Sequence, residues 1–160
     1  MYFKILPGTK AFNRIQKVRN CQIIARDMAI EIVKEVGAKT WLLPYDSIGG
    51  GIAAFQMDKC PDGWKRAGGS DIKNGYFPKA SPQNKELLAR IKALPTIKLS
   101  DYANALNYEP QSRGRELSLC PGIQFKNKFL LIDALVENYK PLPGMIEITE
   151  SEYRKLSASK

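Results

Sequence analysis

The chain has no histidine in its 160 residues. Histidine supplies the general base of many catalytic sites and a common metal ligand, so its absence removes both. The sequence also lacks a Walker loop, a GxGxxG turn, a GxSxG elbow and a DxDxDG calcium loop. Carboxylates are scattered along the sequence, and no two are spaced so that they would clearly lie together in a catalytic site. We therefore expect a protein that binds rather than catalyses, with no cofactor and no metal.

Cysteine and long apolar runs are also scarce. Cys21, Cys60 and Cys120 are odd in number and widely spaced, which suits neither a disulfide framework nor a CxxC zinc site. We expect buried, reduced thiols in a cytoplasmic protein. The most apolar stretch, residues 23–30, is interrupted by two charged residues and is too short to span a bilayer. We expect no membrane association and no signal peptide.

Acidic residues are absent from the first 26 positions, and the whole chain has a formal net charge of +9. Residues 129–160 hold four basic and five acidic residues, so the positive charge belongs to the N-terminal half, with a second contribution between 81 and 128. This distribution favours an anionic partner. The six cations of the first segment are Lys4, Lys10, Arg14, Lys17, Arg19 and Arg26.

The apolar spacing predicts a single α+β domain over residues 1–160, with an antiparallel or mixed sheet. A short strand at 2–6 precedes a long helix that begins after Thr9 and ends before Gly37. At about 40 Å this helix exceeds the diameter of a small domain, so a break near Arg19 is an open alternative. Its second half is apolar on several sides, and we expect burial over much of its circumference.

Four further strands are indicated by short apolar runs. The first two flank three glycines at 49–51. These glycines predict a hairpin, because the residues after them look like a strand and not like the helix that follows a phosphate-binding loop. The predicted strands are 41–45, 52–57, part of 124–135 and 145–148.

Three shorter helices complete the predicted fold, one of them a short helix that Ser100 caps and that runs through Leu106. Ser81 and Pro82 begin a middle helix that ends before a proline, and Thr149 with Glu152 forms a capping box for a short C-terminal helix. Residues 58–80 have no clear period and predict a long loop. Such a loop is uncommon in a compact domain and often functional.

The start of the long helix is the first candidate binding surface. A helix N-terminus favours acids, yet this one begins with Lys10, Arg14 and Lys17, which helical spacing places on one face. Together with the backbone N–H groups that follow Thr9, these side chains would bind an anion. A solvated basic face without a ligand is the alternative.

The predicted loop at 58–80 is the second candidate. Its cations alternate with aromatic side chains, a combination that suits nucleotides or single-stranded nucleic acid. Five basic and three acidic residues give this segment a net charge of only +2. The alternative is that the aromatic side chains pack into the core and hold the loop in place. Arg113 and Arg115 are a third, weaker candidate that a surface turn also explains. The residues of the second candidate are Trp64, Lys65, Arg66, Lys73, Tyr76, Phe77 and Lys79.

The segment GYFPKASPQNKELLARIKALP, Gly75–Pro95, resembles a pattern in small accessory proteins of tailed phages and prophages. In those proteins an aromatic-x-Pro-Lys/Arg loop leads into a helix that ends in Ile-x-x-Leu-Pro. The closing segment PGMIEITESEYRKL is similar to their ends, and the two segments cover about a quarter of the chain. The resemblance implies a protein that modulates the host, often by binding and blocking a defence system in the host cytoplasm. It implies no catalytic residues.

Three functions are consistent with these observations. The first is a phage-type accessory protein that sequesters an anionic ligand, such as a nucleotide signal, or blocks a host protein. The second is a nucleic-acid-binding protein, which the charge supports although no recognised nucleic-acid motif is present. The third is an enzyme with a histidine-free site that acts on a phosphorylated or nucleotide substrate. The apolar first helix would also suit a homo-oligomer.

Overall fold

The structure, a computed structural model, describes residues 1–43, 54–67, 74–109, 121–135 and 138–159. Within these ranges, helices accompany two four-stranded sheets in which all neighbouring strands are antiparallel. The predicted α+β class is confirmed. The chain divides into two compact units, a terminal unit (Met1–Val18 with Ser100–Lys160) and a central unit (Arg19–Leu99). The single domain stays a prediction.

Helices and strands follow one another without a repeating βαβ unit. The first half of the chain contains β1 (Tyr2–Ile5), α1 (Lys10–Met28), α2 (Ile30–Val36), β2 (Thr40–Leu42), β3 (Ala54–Gln56), β4 (Trp64–Arg66) and β5 (Gly75–Pro78). After a 3-10 turn at Pro82–Asn84, the second half contains α3 (Lys85–Lys92), α4 (Leu99–Ala105), β6 (Gly122–Phe125), β7 (Leu130–Asp133), β8 (Met145–Ile148) and α5 (Glu150–Ala158).

β1 is a central strand of the terminal unit, in a sheet ordered β6-β7-β1-β8. Phe3 and Ile5 on β1 have no solvent exposure, and Phe3 lies opposite Ile132, which is also fully buried. α5 contacts β1, where the ring centroids of Tyr2 and Tyr153 are 4.5 Å apart. The strands predicted at 2–6, within 124–135 and at 145–148 are confirmed.

Side-chain caps begin three helical segments as the sequence predicts. The hydroxyl oxygens of Thr9, Ser81 and Thr149 each accept the backbone N–H three residues later, at 3.2, 3.3 and 3.1 Å. Each cap satisfies one of the N–H groups that a helix start leaves without a partner. Gly37 ends α2 in the left-handed conformation, at φ 76°, which favours glycine.

The long N-terminal helix is interrupted at Ala29, and not near Arg19. α1 continues through Arg19 to Met28. The N–H of Ala29 is then shared between the carbonyls of Ala25 and Arg26, at 3.2 and 3.1 Å. Ala29 itself has φ −84° and ψ −5°, a local departure from α geometry that separates α1 from α2.

The second half of this helix is buried on one side only. Ala25, Ala29 and Ile32 are at most 4% exposed, whereas four large apolar side chains on the other side are 40–55% exposed. The prediction of burial over much of the circumference is therefore wrong. Apolar spacing could not separate the two sides, because both contain isoleucine. The exposed side chains are Ile23, Ile24, Met28 and Ile30.

The central unit has an aromatic core beneath a sheet ordered β2-β3-β5-β4. The ring of Phe55 lies 4.4 Å from that of Trp41 and 5.7 Å from that of Trp64. Ile32 from α2 and Ile91 from α3 belong to the same buried cluster. The predicted strands at 41–45 and 52–57 are represented by β2 and β3, and the predicted glycine hairpin at 49–51 lies outside the described residues.

Residues 58–80 do not form one long loop as predicted. They contain β4 and β5, which pair antiparallel with Lys65 opposite Phe77. Strands of three and four residues are too short for an alternating pattern to be recognised in the sequence. The cysteine prediction is also wrong in part, because Cys21 and Cys60 are exposed. Cys120 lies outside the described residues.

Gly144 should tolerate alanine less well than Gly8 does. Both glycines have positive φ, 93° and 86°, so alanine at either position costs about 1–2 kcal/mol of backbone strain. A Cβ at Gly144 would also lie 2.7 Å from the Cβ of Thr9, whereas a Cβ at Gly8 meets nothing within 4 Å. We expect Gly144→Ala to lower the free energy of unfolding by about 3 kcal/mol or more, measured by urea denaturation. Equal losses in the two variants would contradict the close packing of Thr9 on Gly144.

Ile32 and Ile24 provide a matched test of the two sides of the α1–α2 segment. Ile32 is 4% exposed and Ile24 is 54% exposed. We expect Ile32→Ala to cost about 2–5 kcal/mol of stability because it leaves a cavity, and Ile24→Ala to change stability by no more than about 0.5 kcal/mol. Denaturant unfolding of both variants checks this, and a large loss in Ile24→Ala would show that the side chain is covered.

Candidate functional site

The Thr9 end of α1 is already occupied by contacts within the terminal unit. The Thr9 hydroxyl accepts the N–H of Phe12 and donates to the carbonyl of Leu6 at 2.9 Å. Its side chain packs directly against Gly144. One of the backbone N–H groups that we expected to bind an anion is therefore already hydrogen-bonded to the Thr9 side chain. Thr9 is a structural residue.

Arg14 is held at the C-terminus of α4. Its Nη2 donates to the carbonyl of Asn104 and to the side-chain oxygen of Asn107, both at 3.1 Å. A cation is favourable at this place because the end of a helix carries partial negative charge. Lys10 and Lys17 remain exposed. Of the first candidate surface, these two lysines are the residues that the fold leaves available.

The aromatic residues of the second candidate pack into the core of the central unit. Trp64 is 9% exposed and packs edge-to-face on Phe55. Tyr76 and Phe77 are half-buried against the same cluster, and the Phe77 ring lies 6.4 Å from that of Trp41. These rings pin the segment to the core, which is one of the two interpretations of the sequence. Trp64 is therefore not available to stack on a base.

The cations of the same segment lie on the surface. Lys65 and Arg66 on β4, and Lys79 directly after β5, are exposed. In the described part of the chain, no carboxylate lies within 4 Å of these three side chains. Lys39 differs, since its ammonium group lies 2.9 Å from the Asp58 carboxylate. We refer to β4 and β5 with Lys65, Arg66 and Lys79 as the cationic hairpin.

The strand register brings two of these cations to one face. Lys65 lies opposite Phe77 and Trp64 lies opposite Pro78, so Lys79 is one pair further along. Lys65 and Lys79 are therefore diagonal neighbours, about 7–8 Å apart at Cα. Alternation along β4 directs Arg66 to the other face. β4 is an edge strand of its sheet among the described strands, which leaves its cations accessible.

Asn84 fixes the end of the cationic hairpin. Its side-chain nitrogen donates to the carbonyls of Gly63 and Lys79, at 3.0 Å each. The N–H of Lys79 donates to the same Gly63 carbonyl at 3.0 Å. Gly63 has φ 79°, which glycine adopts without strain. No local pattern indicates this role for Asn84, because its acceptors lie 21 and 5 residues away and depend on the pairing of β4 with β5.

An open groove of about 260 Å³ lies between α2 and α3 in the central unit. Its lining includes Gln83 and Glu86, and the ion pair of Glu35 with Arg90 crosses it. Two carboxylates and one guanidinium line the groove, so its charged residues leave a net negative charge. It therefore offers less to an anion than the cationic hairpin does.

Burial raises the pKa of three acidic groups in the terminal unit, namely Tyr139, Asp133 and Tyr153. Burial raises the pKa of Tyr139 to about 12, and the nearby Arg14 lowers it by less. The Tyr139 hydroxyl donates to the carbonyl of Leu106 at 2.7 Å. Burial also raises the pKa of Asp133, against the effect of the N-terminal ammonium group. These shifts follow from packing, so they do not by themselves identify a catalytic group.

Arg113 and Arg115, as well as Lys73, lie outside the described residues. Within the described ranges, no three histidine, cysteine or acidic residues come together as a possible metal site. No helix in those ranges is both long enough and apolar enough to cross a membrane.

Comparison of the chain with protein-family models, with curated proteins and with solved structures finds no match. The resemblance of Gly75–Pro95 to phage accessory proteins therefore stays a prediction. The cationic hairpin has three exposed cations on or directly after two paired strands.

The pKa of Tyr139 predicts a late step in an alkaline titration. Its value in the fold, about 12, lies above the ordinary value of 10.0. Tyr139 therefore stabilises the fold fully below about pH 10, and this contribution is lost as the pH rises towards about 12. We expect the latest phenolate absorbance step of the folded protein to be missing in Tyr139→Phe. An unchanged titration in a folded variant would contradict the burial of this hydroxyl.

Proposed function

We propose that this chain is a non-catalytic binding protein that captures an anionic partner on the cationic hairpin. The observation that carries the proposal is the group of Lys65, Arg66 and Lys79, which are exposed and have no carboxylate within 4 Å in the described part of the chain. Neighbouring like charges repel one another. An external anion would relieve that repulsion.

The rigidity of the hairpin supports the proposal. Trp64 anchors β4 to the core through its contact with Phe55, and Asn84 ties Lys79 to Gly63. The cations therefore extend from a backbone that is already ordered. A binding surface of this kind loses less conformational entropy when its partner arrives than a flexible loop does.

The proposed biological setting is that of a phage-type accessory protein that neutralises a host component by binding it. The segment of the resemblance, Gly75–Pro95, contributes β5, Lys79, Asn84 and α3. The part of the chain that resembles phage proteins therefore overlaps with one half of the candidate site, whereas β4 with Lys65 and Arg66 lies outside it. This partial overlap supports the proposal and names no particular target.

Calorimetry with a panel of anions tests the proposed function. The probes are a DNA oligonucleotide, ATP, inorganic polyphosphate and poly-L-glutamate, each at about 50 mM salt, where electrostatic binding is strong. We expect at least one anion to bind. The double variant Lys65→Gln with Lys79→Gln should weaken that binding about tenfold, the loss expected for about 1.4 kcal/mol.

A matched control removes the same charge elsewhere. Lys92→Gln with Lys140→Gln changes two exposed lysines outside the hairpin, and it should alter the affinity by less than about twofold. Failure of every anion to bind would overturn the proposal, as would equal losses in the two double variants. Lysine on an edge strand also discourages pairing with other chains. A hairpin variant that aggregates but binds with full affinity would assign the lysines to that role instead.

A further inference from the structure

We infer that the anionic partner of the cationic hairpin is a nucleic-acid backbone, bound through its phosphates without recognition of the bases. This inference rests on the proposed function and narrows it to one class of partner. It follows from the scarcity of exposed apolar side chains around Lys65, Arg66 and Lys79, and from the packing of the hairpin's aromatic side chains into the core.

The surface of the hairpin is poorly suited to a protein partner. The centre of a protein–protein interface is usually apolar and depleted in charge. The large apolar side chains that are exposed in the described ranges belong to other elements, and the hairpin contributes none of them. A partner here meets mainly charge, since Phe77, the apolar side chain opposite Lys65, is half-buried. Such a surface is sufficient for a nucleic-acid backbone, because the release of counterions supplies most of its non-specific affinity.

The hairpin is also poorly suited to a single nucleotide. Small ligands bind in concave sites that bury most of their surface. The groove of the central unit is lined by residues of α2, α3 and the 3-10 turn, and not by the three cations. Trp64 and Phe77, which could hold a base, pack on Phe55 and Trp41 respectively. Tyr76 and Phe77 are half-buried against the same cluster, so a nucleotide would gain contacts mainly to its phosphates.

The spacing of the cations suits a repeating chain of phosphates. Lys65 and Lys79 are about 7–8 Å apart at Cα, so their long side chains can each neutralise a different phosphate. Arg66 lies on the other face of the same edge strand and can reach a third. Contacts of this kind position a nucleic acid and carry no sequence information. The net charge of +9 adds a long-range attraction.

Fluorescence anisotropy with labelled DNA of about 20 nucleotides, single-stranded in one arm and duplex in the other, tests this inference between about 50 and 200 mM salt. Three phosphate contacts predict a slope of log K against log salt of about −2 for the single strand and about −2.7 for the duplex. Lys65→Gln with Lys79→Gln should reduce the magnitudes to about 0.7 and about 0.9. Oligonucleotides of different base composition should differ by less than about threefold, since the backbone carries no sequence information.

Lys92→Gln with Lys140→Gln is the control and should leave the slopes unchanged. Two results overturn the inference and leave the proposed function intact: hairpin-dependent binding of ATP that displaces DNA completely, and hairpin-dependent binding of poly-L-glutamate without binding of DNA. Strong preference for one base sequence also overturns it. If neither DNA nor any other anion binds, the inference and the proposed function fall together.

Discussion

The packing of Trp64 into the aromatic core is the constraint on which the candidate site depends. β4 has only three residues, and its first side chain is fixed edge-to-face on Phe55. Once Trp64 is buried, Lys65 and Arg66 are the residues that remain for the surface. The rings of Tyr76 and Phe77 hold β5 to the same cluster. Burial of aromatic side chains therefore orders a short hairpin that is poor in other stabilising features.

Hydrogen bonds also hold the hairpin in place. Asn84 reaches from the 3-10 turn to the carbonyls of Gly63 and Lys79, and Ser81 caps the turn from which Asn84 extends. In the terminal unit, Arg14 has a comparable structural role at the end of α4. The fold thus divides the basic side chains that looked alike in the sequence into two groups. Some donate hydrogen bonds to other parts of the chain. Others face solvent, with no carboxylate of the described residues nearby.

Much of the fold could be predicted from local sequence. The caps at Thr9, Ser81 and Thr149 and the stop at Gly37 depend on side chains and backbone within a few residues, so local rules identify them. Two predictions failed for a common reason. The predicted burial around Ile24 and the predicted loop at 58–80 both depend on partners that are distant in sequence, whereas the helix break at Ala29 is a local change in hydrogen bonding. Isoleucine on both sides of α1 and strands of three or four residues leave no local signal of those partners.

The sequence by itself determined the α+β class, the excess of positive charge and the residue types that could bind an anion. These properties depend on composition and on local spacing. Only the tertiary structure decided which of those residues are available, because a cation becomes a structural residue when a carbonyl from another element reaches it. Arg14 meets the end of α4, and Trp64 meets Phe55. Lys65 and Lys79 have no carboxylate of the described residues within 4 Å, and strand pairing makes them diagonal neighbours on one face.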